Sequence, residues 1–338
     1  MKKYLVVLWL SSLGLMAASP QGHVVGWGMN GFGAVTGGPG DGDYVAGVVK
    51  IGGRVLSNVV SVATGGYKSF ALKSDGTVAN WGYTPDNFSG WSNITAISAS
   101  WTHLLALTGD GTVMTSTSWP ELEAPKGLTN IVAIAAGMAQ TVVITKDGGV
   151  VAWGKAGPGG MPNPPPPTAQ SNVVAFALCQ SQYGDNLALK RNGTVMEWPS
   201  RGIKDEMTMP AGLSNVTAVA CGNAHCLALK ADGTVVAWGL SEFYMETPNY
   251  GQADVPVGLS NVVAIAAGGN TSLALKSDGT VVSWGGIGPR FPSPLPVGLS
   301  NVAAIAVDGA YCLAIQTKGT VTETNVPSAA RMGTGANP

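Results

Sequence analysis

One unit written seven times constrains this chain more than anything in its composition. It is clearest in SNVTAVACGNAHCLALKADGTVVAWG at 214–239 and SNVVAIAAGGNTSLALKSDGTVVSWG at 260–285, and it recurs at 57–82, 92–117, 129–154, 171–199 and 300–325. A unit of roughly forty residues cannot bury its own apolar faces, so tandem copies must stack on one another around a shared core.

Each unit predicts its own strands. NVVAIAAG is a short apolar run, rich in β-branched residues and ended by glycine, which reads as an inner strand A buried on both faces. LALK then gives strand B, Ser-Asp-Gly or Ala-Asp-Gly turns the chain, and TVVAWG gives strand C of a hairpin. A proline-containing stretch such as ADVPVGLS follows, and it is expected to form an outer edge strand D, where a missing N–H costs no ladder bond. Four short antiparallel strands make one propeller blade, so the expected fold is all-β, a seven-bladed β-propeller spanning residues 20–326. HVVGWG at 23–28 is a free-standing C strand, while the last unit has Thr324 in place of tryptophan, so the N-terminal strand is expected to pair into the last blade and close the ring.

These units resemble the repeats of the regulator of chromosome condensation family, whose members are seven-bladed propellers, over essentially the whole chain after residue 20. VVAWG (150–154), GQADVP (251–256), VVAIAAG (262–268) and SLALKSDGTVVSWG (272–285) look closest to the secreted bacterial branch that includes the propeller-type β-lactamase inhibitory protein. The resemblance specifies a fold far more closely than a function, because one propeller frame carries many jobs.

Residues 1–19 have the layout of a secretory signal peptide: Lys2 and Lys3, an apolar run, then Ala17, Ala18 and Ser19. The expected product is secreted, periplasmic or cell-surface, with no membrane span and with 327–338 as a C-terminal tail. Lys and Arg number 18 against 19 Asp and Glu, so no basic field exists to neutralise phosphates, and nucleic acid is not an expected partner. Cys221 and Cys226 flank one short loop: either they bridge across a hairpin or, with Cys179 and Cys312, they stand as buried small side chains.

The repeat also separates packing from function. Trp27, Trp81, Trp153, Trp198, Trp238 and Trp284 share one column and read as blade packing. Asp75, Asp110, Asp147, Asp232 and Asp278 read as hairpin-turn residues. Asn93, Asn192, Asn215 and Asn270 begin Asn-x-Ser/Thr triplets that the repeat itself explains.

What remains is the face carrying the A-to-B and C-to-D loops, which vary in length and chemistry. Its aromatics outside the repeat columns include Phe32, Tyr83, Phe88, Trp101, Trp119, Tyr183, Phe243, Tyr244 and Tyr250, which either bind a partner or pack under their own loops. At the start of strand B, Lys68, His103, Gln140, Asp185, His225, Thr271 and Tyr311 would ring the channel mouth on the same face. His103 and His225 belong to opposite blades, so no metal site is expected there. No catalytic triad can be assembled from the three histidines, and no cofactor is expected. The function expected is that of a non-catalytic, monomeric binding protein for an unknown protein partner, an enzyme inhibitor being one version. A carbohydrate-binding propeller is the alternative.

Overall fold

The computed structural model describes residues 21–38, 44–83, 88, 90–154, 172–179, 185–199, 208–239, 250–286, 294–309 and 311–326. The signal-like segment and the C-terminal tail lie outside these residues. Six of the seven repeats fold as an antiparallel A–B–C meander. In chain order the strands are Val59–Gly65, Lys68–Lys73 and Val78–Gly82; Ile94–Ala99, His103–Thr108 and Val113–Thr117; Ile131–Ala136, Gln140–Thr145 and Val150–Gly154. They continue as Val173–Ala177, Asp185–Lys190 and Val195–Pro199; Val216–Cys221, His225–Lys230 and Val235–Gly239; and Val262–Gly268, Thr271–Lys276 and Val281–Gly285.

The last sheet differs. Val302–Asp308 pairs with Tyr311–Gln316, which pairs with the N-terminal His23–Met29, then Tyr44–Val48 and Thr324–Val326. The register runs from His23 opposite Gln316 to Gly28 opposite Tyr311, so the N-terminal strand stands where other sheets place strand C. Each A strand packs on the A strand of the next sheet, and Val302–Asp308 packs on Val59–Gly65.

Strand A is shaped by a recurrent bulge. Its second residue is skipped in the pairing in all seven A strands, as between Val262 and Ala264, where Val263 is exposed. An extra residue bends the strand and sharpens its twist, which lets the inner strands converge. The remaining A and B side chains fill the space between neighbouring sheets. One such cluster joins Ala218, Leu227 and Leu229 to Ile265, Ala267, Ala274 and Trp284.

The expected outer strand D is present in the last sheet, where Tyr44–Val48 pairs outside the N-terminal strand, and is corrected by the structure elsewhere. Among the described residues, six sheets have three strands, and the proline-containing segments run outside them without a ladder. Their sequence favours a turn instead. In Pro256-Val257-Gly258-Leu259 the Leu259 N–H donates to the Pro256 carbonyl, with Gly258 at φ +80°, as a type II turn requires. The same bond recurs from Leu128 to Pro125 and from Leu299 to Pro296.

The face opposite the variable loops is held by asparagine. Asn58, Asn93, Asn130, Asn172, Asn215, Asn261 and Asn301 all take positive φ just before strand A. The carbonyl of Asn261 accepts from Ser277 of its own sheet, while the next N–H, of Val262, donates to Gly233 of the preceding sheet. Asparagine tolerates this left-handed backbone and a β-branched residue does not. Asn261→Val is therefore expected to lower unfolding stability by about 1–2 kcal/mol, with Asn261→Gly close to neutral, measured by urea denaturation.

Candidate functional site

Four aromatic rings form one exposed arc on the variable-loop face. Phe32 follows the N-terminal strand, Tyr83 follows strand C of the first sheet, and Tyr67 and Trp101 lie in the A-to-B loops of the first two sheets. Tyr83 meets Phe32 at 4.8 Å between ring centroids, Phe32 meets Tyr67 at 5.5 Å, and Tyr67 meets Trp101 at 5.5 Å, all edge-to-face. They remain 55% (Phe32), 38% (Tyr67), 48% (Tyr83) and 53% (Trp101) exposed, so ring-to-ring contact satisfies only part of their apolar surface.

The backbone under the arc is held from several sheets. Phe32 and Tyr67 both take positive φ, at 56° and 63°, which a bulky residue adopts only when its surroundings impose it. Asn30 Oδ1 accepts from the Val35 N–H at 3.0 Å, and the Ala34 carbonyl accepts from Ser69 Oγ at 2.7 Å and the Trp81 indole at 2.8 Å. The Phe32 loop is thereby fastened to the first sheet. Below Tyr67 and Trp101, the buried Asp308 carboxylate accepts the N–H groups of Gly66 and Tyr67 and the Trp101 indole N–H. Burial pushes its pKa up to about 6, with those donors pulling the other way.

Other sequence-predicted aromatics do not join the arc. Phe88 is half-buried against Phe70 at 6.2 Å and Trp91 at 4.6 Å, packing under its own loop. Trp119 is half-buried at the start of a short 3-10 turn, Pro120–Leu122, and its N–H donates to Thr117 Oγ1 at 3.0 Å. Tyr250 is half-buried, with its N–H on Gln252 Oε1 at 2.8 Å. Tyr183, Phe243 and Tyr244 lie outside the described residues.

The predicted ring column opens the seven B strands: Lys68, His103, Gln140, Asp185, His225, Thr271 and Tyr311. All but the half-buried Lys68 are buried, and several serve as latches between sheets rather than as an open polar mouth. His103 Nε2 lies 2.8 Å from Thr141 Oγ1, and His225 Nε2 lies 2.9 Å from Ser272 Oγ, each in the following sheet. Tyr311 donates to the Lys68 carbonyl at 2.7 Å and lies 3.1 Å from Ser69 Oγ, joining the last sheet to the first. Ser272 Oγ donates to the Gln252 carbonyl at 2.9 Å, so His225 Nε2 carries the proton and its Nδ1 is left buried without a partner. Among the described residues, no group of three or more His, Cys, Asp or Glu is disposed to hold a metal ion. No helix among them is long and apolar enough to cross a membrane.

The columns read as packing behave accordingly. The indoles of Trp153 and Trp284 donate to the Leu122 and Gln252 carbonyls at 3.1 and 3.0 Å. Asp75 accepts from Thr77 and Lys73, which lowers its pKa to about 2 as a turn carboxylate.

The family described as Regulator of chromosome condensation (RCC1) repeat matches residues 216–244 and 262–286. Two segments of the chain match that repeat. Protein pim1 of Schizosaccharomyces pombe is 28% identical over 199 residues, 59% of this chain and 30% of pim1, so the chain matches less than a third of that relative's length. Yeast RCC1 (Prp20), solved bound to Kap60, superposes with a TM-score of 0.61 at 15% identity, covering 93% of this chain and 91% of that one. Prp20p from Saccharomyces cerevisiae, whose binding to Gsp1p and histones has been described, gives 0.61 at 14% identity over 93% and 94%. The ectodomain of the Arabidopsis thaliana receptor kinase ACR4 gives 0.54 at 17% identity over 76% and 95%. The chain thus shares its fold with RCC1-like propellers, and at these identities the likeness is one of fold.

Tyr67 and Asp308 are the site residues that the sequence reading passed over. Asp308 had a signal: its column holds Gly65, Ser100, Gly137, Gly222 and Gly268 in other repeats, so an acid there is out of place. Tyr67 likewise stands where other repeats place Thr102, Ala139, Ala224 and Asn270.

Proposed function

We propose that this protein is an exported, non-catalytic binding propeller of seven blades, closed by its N-terminal strand, that captures a protein partner on the aromatic arc. The observation that carries the reading is the arc itself: Phe32, Tyr67, Tyr83 and Trp101 in contact, exposed, and mounted on a backbone fixed by Asn30 and Asp308. Pre-ordered aromatic rings supply contact area at little entropic cost, and such residues dominate protein interfaces. The histidines add support for a non-catalytic role, because His103 and His225 are buried in contacts between sheets. Inhibition of an extracellular enzyme is one form this capture takes.

The test compares affinity capture from the source's extracellular fraction by the native protein and by a Tyr67→Ala/Trp101→Ala variant. A specific protein retained by the first and lost, by at least about tenfold in affinity, from the second is expected, each ring contributing on the order of 1–2 kcal/mol. Equal capture by both would place the interface elsewhere, and glycan-array binding that depends on the same two rings would favour a carbohydrate ligand.

A further inference from the structure

We infer that Cys221 and Cys226 form an intramolecular cross-strand disulfide under oxidising conditions, fastening the loop 222–225 on the face that carries the arc. The two residues are directly opposite in the register of their sheet, and their sulfurs lie 2.9 Å apart as free thiols in this structure. The pairing type favours the bond. The Gly222 N–H donates to the His225 carbonyl at 2.9 Å, so the 222–225 pair is hydrogen-bonded and the adjoining 221–226 pair falls at a non-hydrogen-bonded site. At such sites the Cα atoms approach to about 4.5 Å, within the span that a disulfide bridges.

Cys179 is the neighbouring rival, and it is held elsewhere. It lies just past strand A of the preceding sheet, and its thiol donates to the Gly222 carbonyl at 3.1 Å, with the Asn223 carbonyl at 3.4 Å. Cys312 pairs across its own sheet with Val307 on one side and Trp27 on the other.

The chemistry is thiol–disulfide exchange with a small disulfide such as oxidised glutathione. One cysteine thiolate attacks the glutathione disulfide, releasing one glutathione thiolate and forming a mixed disulfide. The second cysteine, as thiolate, then attacks the protein sulfur of that mixed disulfide and releases the other glutathione. The protein loses two protons and two electrons, and the oxidised glutathione takes them up to become two thiols. Burial pushes both thiols above their ordinary range, so exchange belongs to the folding chain, and the finished bond is sealed from reductant.

Refolding the full-length protein with oxidised and reduced glutathione, then alkylating it in denaturant, tests the pairing. Two of the four cysteines are expected to resist alkylation, and the peptide 205–230 should be lighter by two hydrogens than after reduction. Cys221→Ser and Cys226→Ser should each abolish that mass change, while Cys312→Ser keeps it. Closing so short a loop should raise Tm by roughly 4 °C. Four alkylated cysteines in the refolded, oxidised wild type, or a bond from Cys179 to either partner, would overturn the inference, and neither result depends on a variant folding.

Discussion

Trp27→Ala is expected to lower unfolding stability by about 3–5 kcal/mol, whereas Trp101→Ala, which removes an exposed ring and one donor to Asp308, costs about 1 kcal/mol. The contrast follows from where each indole sits. Trp27 is fully buried in the middle strand of the last sheet, opposite Ala46 on one side and Cys312 on the other. It packs in a cluster with Ala264, Ala266, Leu273 and Leu275 of the preceding repeat. Truncation removes contacts on both sides of a junction between the two chain ends, and the rigid strands around it cannot close the cavity. Its indole nitrogen has no hydrogen-bond partner among the described residues, so Trp27→Phe forfeits no hydrogen bond and should cost far less than alanine. Urea denaturation of the three variants checks this. A Trp27→Ala midpoint equal to wild type would mean that the N-terminal strand does not hold the last sheet together.

The same contrast shows what the sequence could convey. Trp27, Trp81 and Trp284 share a column, and residues that recur at one position in most copies must answer to the common frame, so their packing role was legible. The Asp-Gly turns and the strand boundaries were legible for the same reason. Strand D was not, because alternation in ADVPVGLS suits an edge strand as well as it suits the turn that Gly258 permits. Trp101, Tyr83 and Phe32 stood out as off-column aromatics. Their assembly with Tyr67 was hidden because Phe32 and Trp101 are far apart in sequence and are bridged through Tyr67 only when the last, first and second sheets stand side by side. The ring column was correctly placed at the start of strand B, but burial depends on how closely neighbouring sheets approach, which no single repeat encodes.

Acid should destabilise the protein through the two buried histidines. Burial lowers the pKa of His103 and of His225 from the usual 6.5 to about 4. Between those values the unfolded chain takes up protons that the folded one refuses, so the stability each residue contributes is complete above pH 6.5 and is lost as pH falls to 4. The loss is on the order of 3 kcal/mol for each histidine. Asp308 acts in the opposite sense. Its carboxyl is raised from 3.8 to about 6, so the folded state holds a proton that the unfolded state has released, and stability falls as pH rises through that window. Two histidines outweigh one carboxyl, and the net expectation is a loss of stability from pH 6.5 down to 4. His225→Gln should flatten that slope, because glutamine donates to Ser272 without titrating, and Asp308→Asn should steepen it. Midpoints of urea denaturation across this range measure both slopes. Unchanged slopes in both variants would show that neither group titrates abnormally. The Trp101 indole resonance gives a separate reading, since its N–H lies on Asp308 and should shift with a midpoint near pH 6 only while that carboxyl is present.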